Sequence, residues 1–408
     1  MVKRTNYLNR LKQWQDRPVI KVVTGMRRCG KSTLLEQFRQ ELRSEGVPEE
    51  RIVALNFEAL ENEALLDYRT LYRHIVDRLH PTQTTYVFLD EIQMVPEFQK
   101  AVDSLTLKKN VDLYLTGSNA FLLSGELATL LSGRYIEINM LPLSFAEFCE
   151  LRGAAGDAAF SDYLRWGGLP QLAALALSAE QAESYLEGIY NTVIVKDIEQ
   201  RQSRRENDPN KRKITDLTLL KNVARFLANS VGSPVSVKSI ADYITSSGRK
   251  VSQNTVSDYC AALEEPYLFY AAERFDVVGK QLLKQNQKIY IVDLGLRRHL
   301  VPRNSYDLGF SLENVVYLEL RRRGYRVNVG KLGAAEIDFV AWKNERLSYY
   351  QVTASMTEQS TFEREMAPLR SLTDNYPKTV LTLDRFTTGD YGGIEVVNAV
   401  DWLLRGTD

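Results

Sequence analysis

The sequence predicts an α/β protein of several domains. A parallel sheet is expected in its first third and a second, smaller α/β module at its end. Three observations support this prediction. Apolar strand-like runs alternate with amphipathic helical patterns over residues 19–141, the middle of the chain is helical in pattern, and strands return after residue 325. Such alternation is typical of parallel sheets whose strands are joined by helices. A chain of 408 residues is long enough for two or three domains.

Composition excludes several classes of protein. The 52 basic and 52 acidic residues cancel, so there is no global attraction to nucleic acid. The cysteines Cys29, Cys149 and Cys260 are isolated, which disfavours a zinc site or a disulfide framework and fits a reducing cytosol. We recognise no signal peptide and no apolar run long enough to span a membrane. We therefore expect a cytoplasmic protein that makes no membrane contact.

The N-terminal strand pattern leads into a glycine-rich loop. Residues 25–32 read Gly-Met-Arg-Arg-Cys-Gly-Lys-Ser, which is the G-x-x-x-x-G-K-[ST] phosphate-binding pattern between a strand and an amphipathic helix. Glycines allow the backbone to approach phosphate closely, Lys31 can reach the terminal phosphates, and the Ser32 hydroxyl can bind Mg²⁺. The residues predicted to bind nucleotide are Gly25, Met26, Arg27, Arg28, Cys29, Gly30, Lys31, Ser32 and Thr33.

A second element of the site follows the apolar run at residues 85–89. Asp90 and Glu91 come directly after this run, which reads as a central strand whose carboxyl end carries the chemistry. Asp90 is predicted to hold Mg²⁺ through its water shell, and Glu91 to polarise the attacking water. Together with the loop, these acids predict a site for a nucleoside triphosphate and Mg²⁺.

Two further positions have open alternatives. Residues 111–117 form a strand pattern, and Ser118 or Asn119 at its end is predicted to contact the γ-phosphate or the water, a simple turn being the other interpretation. Arg134 precedes the strand pattern at residues 135–138. It either stabilises transition-state charge in its own chain, serves a neighbouring subunit, or is an ordinary surface arginine.

This succession of motifs resembles the AAA+ branch of P-loop ATPases. The motifs at residues 25–32, 141–148 and 167–170 are similar to those of a group of prokaryotic AAA+ ATP-binding proteins. The resemblance implies ATP as the nucleotide, a parallel sheet of about five strands, a helical lid, a winged helix and a C-terminal restriction-endonuclease-like module. The expected division is 1–141 for the nucleotide core, 142–198 for the lid, 199–213 for a charged linker, 214–300 for the winged helix and 301–408 for the last module.

The region of the expected winged helix shows three helical patterns, at residues 217–227, 237–244 and 254–263, followed by apolar strands. Ser252 is a good N-cap for the third helix. If this helix binds DNA, Gln253 and Asn254 would contact the bases. Arg249 and Lys250 would contact the phosphates. The alternative is a protein–protein spacer.

The last module resembles the PD-(D/E)XK nuclease core. Glu313 lies in a predicted helix and Asp338 in a strand, where the resemblance implies two of three acids that gather a divalent metal. Gln351 stands where the third acid is expected, and Thr353 stands in place of the lysine that polarises water. Both changes weaken metal binding and water activation. We therefore expect an inactive, degenerate nuclease fold in which Glu313 and Asp338 serve a polar core or a nucleic-acid site.

These patterns favour Mg²⁺-dependent ATP hydrolysis coupled to DNA binding or remodelling, with a homo-oligomeric ring as a possible assembly. The alternative is a nucleotide-gated protein-interaction switch without motor activity. A third hypothesis, an ATP-dependent nuclease, is disfavoured by Gln351 and Thr353.

Overall fold

The computed structural model describes residues 2–118, 133–175, 177–192, 214, 216–301 and 307–405. The chain folds into two compact units. The first consists of residues 1–141 with 265–267, and the second of residues 142–264 with 268–408. In the described part of the chain, none of the helices combines the length and the apolar character that crossing a bilayer requires.

The first unit contains a five-stranded sheet in which every paired strand runs parallel. Its order, β2-β3-β4-β1-β5, places β1 between β4 and β5. The predicted parallel sheet of about five strands is therefore confirmed. The strands are β1 (Ile20–Thr24), β2 (Ile52–Asn56), β3 (Thr85–Asp90), β4 (Val111–Gly117) and β5 (Tyr135–Asn139), and the helices are α1 (Thr5–Gln13), α2 (Lys31–Ser44), α3 (Tyr68–Val76) and α4 (Phe98–Thr106).

Both faces of this sheet are buried, which explains why its strands read as continuous apolar runs. Val22, Leu89 and Leu115 pack on the face that is covered by α3 and α4. Phe88 and Tyr114 stack on the other face with their rings 4.7 Å apart, among side chains of α1 and α2. Because side chains alternate along a strand, neighbouring residues of one run supply both cores.

The second unit begins with helices. The three helices predicted after residue 214 form, and the Ser252 hydroxyl accepts a hydrogen bond from Thr255 N at 3.1 Å as an N-cap does. The helices are α5 (Phe145–Arg152), α6 (Asp157–Trp166), α7 (Pro170–Ala174), α8 (Ala179–Asn191), α9 (Leu217–Asn229), α10 (Val237–Ser246), α11 (Gln253–Glu264), α12 (Leu294–Leu300), α13 (Leu308–Arg322), α14 (Gln359–Arg370) and α15 (Ala399–Leu404).

A nine-stranded sheet completes the second unit, in the order β13-β14-β12-β11-β10-β9-β7-β8-β6. Its strands are β6 (Pro234–Val235), β7 (Phe269–Asp276), β8 (Gln281–Ile291), β9 (Arg326–Leu332), β10 (Ala335–Lys343), β11 (Arg346–Thr353), β12 (Lys378–Thr382), β13 (Gly389–Asp390) and β14 (Ile394–Asn398). The β7–β8 hairpin joins the C-terminal strands because β7 pairs with β9. The expected boundary at residue 300 therefore does not separate two sheets.

Candidate nucleotide site

The phosphate loop leaves β1 and enters α2 through left-handed backbone. Gly25 has φ 145° and Gly30 has φ 105°, and Arg28 between them has φ 68°. A Cβ on Gly25 would lie 2.2 Å from the Met140 carbonyl oxygen. Glycine is therefore required at residue 25 both by its backbone conformation and by the close approach of the segment that follows β5.

Lys31 is buried at the start of α2, inside the turn of the loop. Its ammonium donates hydrogen bonds to the carbonyl oxygens of Gly25 at 3.1 Å and Met26 at 3.2 Å. The same nitrogen lies 3.6 Å from Glu91 Oε1. The loop backbone thus holds the cation beside the acid that the sequence predicts to activate water.

The N-terminal segment supports this loop through contacts that were not predicted from the sequence. Arg4 is buried and donates to the carbonyl oxygens of Cys29 at 3.2 Å and Leu141 at 2.8 Å. Leu141 N donates to the Tyr7 hydroxyl at 3.0 Å. The Cys29 thiol itself is buried, and burial raises its pKa, so that it packs as a small apolar group.

Asp90 and Glu91 are organised by a threonine of the neighbouring strand. The hydroxyl of Thr116, in β4, donates to Asp90 Oδ1 and accepts the N–H of Glu91 at 2.8 Å. Glu91 adopts φ 53°, which turns the chain sharply after β3. The amide of Gln93 donates to Glu91 Oε2. Thr116 and Gln93 were not singled out from sequence, although an alcohol near the end of β4 was a usable signal.

The residues present fit a magnesium ion bound together with a triphosphate. Asp90 supplies a nearly buried carboxylate at the end of β3, and the Ser32 hydroxyl is exposed in the first turn of α2. Mg²⁺ prefers oxygen ligands and is usually held by one or two carboxylates plus phosphates and water. In the described part of the chain, no three or more His, Cys, Asp or Glu side chains are grouped so that they could hold a metal ion by themselves.

The remaining loop residues predicted to bind nucleotide differ in exposure. Met26 is fully buried, Thr33 is half-buried, and Arg27 forms an ion pair with Glu58. Beyond β4, Ser118 is buried, whereas Asn119 lies outside the described residues.

Arg134 requires a correction to one of its predicted roles. It precedes β5, whose Tyr135 pairs in parallel register with Ile20 at the start of β1. The phosphate loop follows the opposite end of β1, five residues and roughly 17 Å farther along the strand. Arg134 instead forms an ion pair with Asp103 at 2.6 Å. It therefore lies too far away to serve the phosphate site of its own chain, and two roles stay open, the one in a neighbouring subunit and that of an ordinary surface arginine.

The residues of the second unit that are predicted to contact DNA differ in their exposure and ion pairing. Lys250, Gln253 and Asn254 are exposed around the start of α11. Arg249 forms an ion pair with Asp216, which precedes α9. The predicted nuclease residues Glu313 and Asp338 are buried and meet at one centre, which also contains Lys288, a residue that sequence reasoning did not connect with them.

Comparison with known proteins adds the following. Residues 17–149 match the family described as AAA domain, and residues 157–307 match a domain of unknown function, DUF8612. An uncharacterized protein of Haemophilus influenzae is 40% identical over 411 positions, which cover 99% of either chain. An uncharacterized protein of Methanocaldococcus jannaschii is 28% identical over 85% of this chain and 77% of its own. Among solved structures, the Walker-type ATPase of Pyrococcus abyssi aligns with 74% of this chain and 96% of its own, at 13% identity and a TM-score of 0.48.

Proposed function

Because this chain belongs to the same family as the uncharacterized Haemophilus influenzae protein and carries an AAA domain, we propose that it is a P-loop ATPase that hydrolyses ATP with Mg²⁺. One observation carries the proposal. The glycine-rich loop, its buried lysine and the acids Asp90 and Glu91 lie together at the carboxyl edge of a parallel sheet, where ligands of open α/β folds bind.

Each residue has a defined task in this proposal. Lys31 and the amides of the loop neutralise the negative charge of the β- and γ-phosphates. Ser32 and Asp90 would hold Mg²⁺, which when bound supplies further neutralisation of the phosphates. Glu91 orients the attacking water, and Thr116 keeps the Glu91 backbone in place by accepting its N–H.

The test is nucleotide binding by the full chain. Calorimetric titration with ATP and Mg²⁺ should give one site per chain in the native protein and no detectable uptake in Lys31→Ala, because the ammonium that neutralises the phosphates is gone. Lys108→Ala removes an exposed lysine of the same unit and is the matched control, for which unchanged binding is expected. Native affinity in Lys31→Ala, or no uptake by the folded native protein, would refute the proposal.

We propose further that the ATPase is coupled to DNA through α11. Three helices followed by the β7–β8 hairpin support a winged-helix assignment for this region. Lys250, Gln253 and Asn254 are exposed at the start of α11, where a recognition helix makes its base contacts. Arg249 is a weaker candidate than the sequence suggested, because Asp216 already neutralises its charge.

Duplex binding at several salt concentrations tests this coupling. Lys250→Ala should weaken binding and make the salt dependence shallower, since one phosphate contact is lost. Arg346→Ala removes an exposed arginine of β11 in the same unit and should leave binding unchanged. If the native protein binds no duplex, forked or junction DNA, and its ATPase does not respond to them, the switch hypothesis replaces the motor.

We propose a role for Arg134 only across a subunit boundary. An Arg134→Ala chain should then bind ATP normally but hydrolyse it slowly, and addition of a Lys31→Ala chain, which supplies an intact Arg134, should restore part of the rate. The measurement is the ATPase rate of mixtures, alongside mass in solution with ATP. A monomer with an unchanged rate in Arg134→Ala would remove both the ring and this role.

A further inference from the structure

A buried ionic centre lies in the second unit, away from the residues of the ATPase proposal. Lys288, in β8, is almost completely buried, and its side chain is 4% exposed. Its ammonium lies 2.9 Å from Glu313 Oε1, 2.8 Å from Glu336 Oε1 and 3.6 Å from Asp338 Oδ1. Three carboxylates from α13 and β10 therefore surround one lysine nitrogen, and this group of four residues is called the lysine–carboxylate centre below.

The centre joins strands that are not neighbours in the sheet. β9 and β7 lie between β10 and β8 in the strand order. In a flat sheet, three strand spacings would separate β8 from β10 by about 14 Å. The long side chain of Lys288 spans much of this distance, and its ammonium lies 3.6 Å from Asp338 Oδ1. The centre consequently fastens the β7–β8 hairpin to the C-terminal strands and to α13.

Other polar side chains and one backbone amide also contact the centre. Tyr290, also in β8, donates its hydroxyl to Glu313 Oε1 at 2.7 Å. Arg274 lies 3.3 Å from Glu336 Oε2 and supplies a second positive charge. Asp338 Oδ2 accepts the N–H of Val352 at 2.8 Å.

The lysine ammonium occupies the space between the three carboxyl groups of the centre. Lys288 Nζ lies within 3.6 Å of one oxygen of each of the three carboxyl groups. A divalent ion bound here would have to lie about 2.1 Å from the carboxylate oxygens. The space that such an ion needs is already occupied by the lysine ammonium. The ammonium and a metal therefore exclude each other, by volume as well as by charge.

We propose that Lys288 is the resident cation of this centre, standing where a divalent metal would otherwise bind the same three carboxyl groups. The native centre then binds neither Mg²⁺ nor Mn²⁺ and cleaves no nucleic acid, and its task is to hold the hairpin that follows α11 against the C-terminal strands. Removal of the Lys288 charge exposes a latent metal site of oxygen ligands.

The experiment uses Mn²⁺ alone as the probe, on the full chain without nucleotide, with free Mn²⁺ measured by electron paramagnetic resonance. The native protein and Asp338→Asn should bind Mn²⁺ identically, because the centre contributes nothing in either. Lys288→Gln keeps a polar side chain without the charge and should gain one Mn²⁺ per chain. That added site should vanish in the Lys288→Gln, Asp338→Asn double variant. A native site that is lost in Asp338→Asn would overturn the proposal, and so would a folded Lys288→Gln that gains none.

Thermal unfolding provides a second measurement that does not depend on metal. Lys288→Met leaves buried carboxylates without their cation and should lower the melting temperature by roughly 10 °C. Adding Glu313→Gln in that background should raise the melting temperature again, whereas Glu313→Gln alone should lower it, because it leaves Lys288 partly unpaired. Additive effects of the two changes would contradict the proposal, even if Lys288→Gln is too unstable for the Mn²⁺ titration.

Discussion

Lys31 Nζ lies 3.6 Å from Glu91 Oε1, within the distance of an ion pair. The lysine begins α2 and the glutamate follows β3, so the two side chains meet only because β1 and β3 end at the same edge of the sheet. Two hydrogen bonds from the ammonium to loop carbonyls fix the lysine. Glu91 is fixed in turn by Gln93 and by the threonine that accepts its N–H.

Glu91→Gln is expected to bind ATP but to hydrolyse it about 10²- to 10⁴-fold more slowly, because the amide cannot take up a proton from water. Asp90 and Lys31 remain in this variant, so the affinity for Mg²⁺–ATP should stay close to native. Calorimetry and single-turnover hydrolysis measure the two quantities separately. Retained hydrolysis would mean that another residue orients the water.

Thr116→Val is expected to slow hydrolysis by roughly 10- to 100-fold through misplacement of Asp90 and Glu91. The valine keeps the shape of threonine but leaves Asp90 Oδ1 and the Glu91 N–H without the hydroxyl that joins them. Thr116→Ser retains the hydroxyl and is the matched control, with activity near native. Equal rates in the valine and serine variants would show that this hydrogen-bonded link is not needed.

Gly168→Ala is expected to destabilise the second unit by about 1–3 kcal/mol. Residues 167–170 read Gly-Gly-Leu-Pro, a pattern that is compatible with either a hinge or a simple turn. In the structure, Leu143 N donates to Gly168 O at 2.7 Å, and an added Cβ on Gly168 would lie 2.4 Å from the Leu143 carbonyl oxygen. This close packing favours a fixed turn.

Gly188→Ala is the matched control for that substitution. Gly188 lies in α8, and apart from the backbone of its own helix and its chain neighbours no atom lies within 4 Å of an added Cβ. Alanine should therefore stabilise the protein by about 0.5–1 kcal/mol. Urea denaturation of both variants gives the comparison. A stabilising Gly168→Ala would restore the hinge interpretation.

Asp293 is expected to make stability depend on pH. It is buried as the N-cap of α12, and its carboxylate accepts the N–H groups of Gly168 at 2.7 Å and Gly295 at 2.9 Å. Burial raises its pKa from 3.8 to about 6, although these N–H groups act in the opposite direction. Between these pH values the folded protein holds one proton that the unfolded chain has lost. The contribution of Asp293 to the free energy of unfolding should therefore fall by about 2 kcal/mol as pH rises from 4 to 6.

Asp293→Asn removes this titration and tests whether the free energy of unfolding falls as pH rises. Its free energy of unfolding, relative to native, should be lowest at pH 4 and should improve as pH rises to 6, since only the native protein loses the contribution. Urea denaturation at several pH values is the measurement. A difference between the two proteins that is constant with pH would contradict the expected titration.

Gln351→Glu is expected to destabilise the C-terminal strands by at least about 2 kcal/mol, rather than to restore a nuclease. Gln351 uses both ends of its amide, since Nε2 donates to Glu365 Oε2 at 2.9 Å and Oε1 accepts Asp338 N at 3.3 Å. A glutamate here would place two carboxylates together. Gln351→Glu with Glu365→Gln exchanges the two groups and should recover stability. Metal-dependent nicking by Gln351→Glu would contradict this interpretation.

Much of the nucleotide site was predictable because many of its residues follow one another directly in the sequence. The loop at residues 25–32 combines glycine positions, a lysine and a serine at fixed spacing, and the acids follow an apolar strand directly. The five-stranded parallel sheet was implied by the resemblance to AAA+ proteins, and the apolar runs marked where its strands lie, since burial on both faces requires them. The three helices after residue 214 were likewise read from local periodicity and one N-cap serine.

The partners of these residues were not predictable, because they come from distant parts of the chain. Arg4 supports a loop carbonyl 25 residues away, and Thr116 holds an aspartate 26 residues away. Lys288 meets Glu313 and Asp338 although its own strand was expected to belong to another domain. No local sequence pattern predicts such contacts between distant residues.

The sequence by itself determined which chemical groups the chain carries and which segments become strands or helices, since both depend on neighbouring residues. The tertiary structure alone decided which of those groups act together. Parallel register placed Arg134 at the far end of β1 from the phosphate loop, and the strand order of the larger sheet placed Lys288 within reach of three carboxyl groups. The physical reason is that strand order and register set distances between side chains, and charge interactions depend on distance.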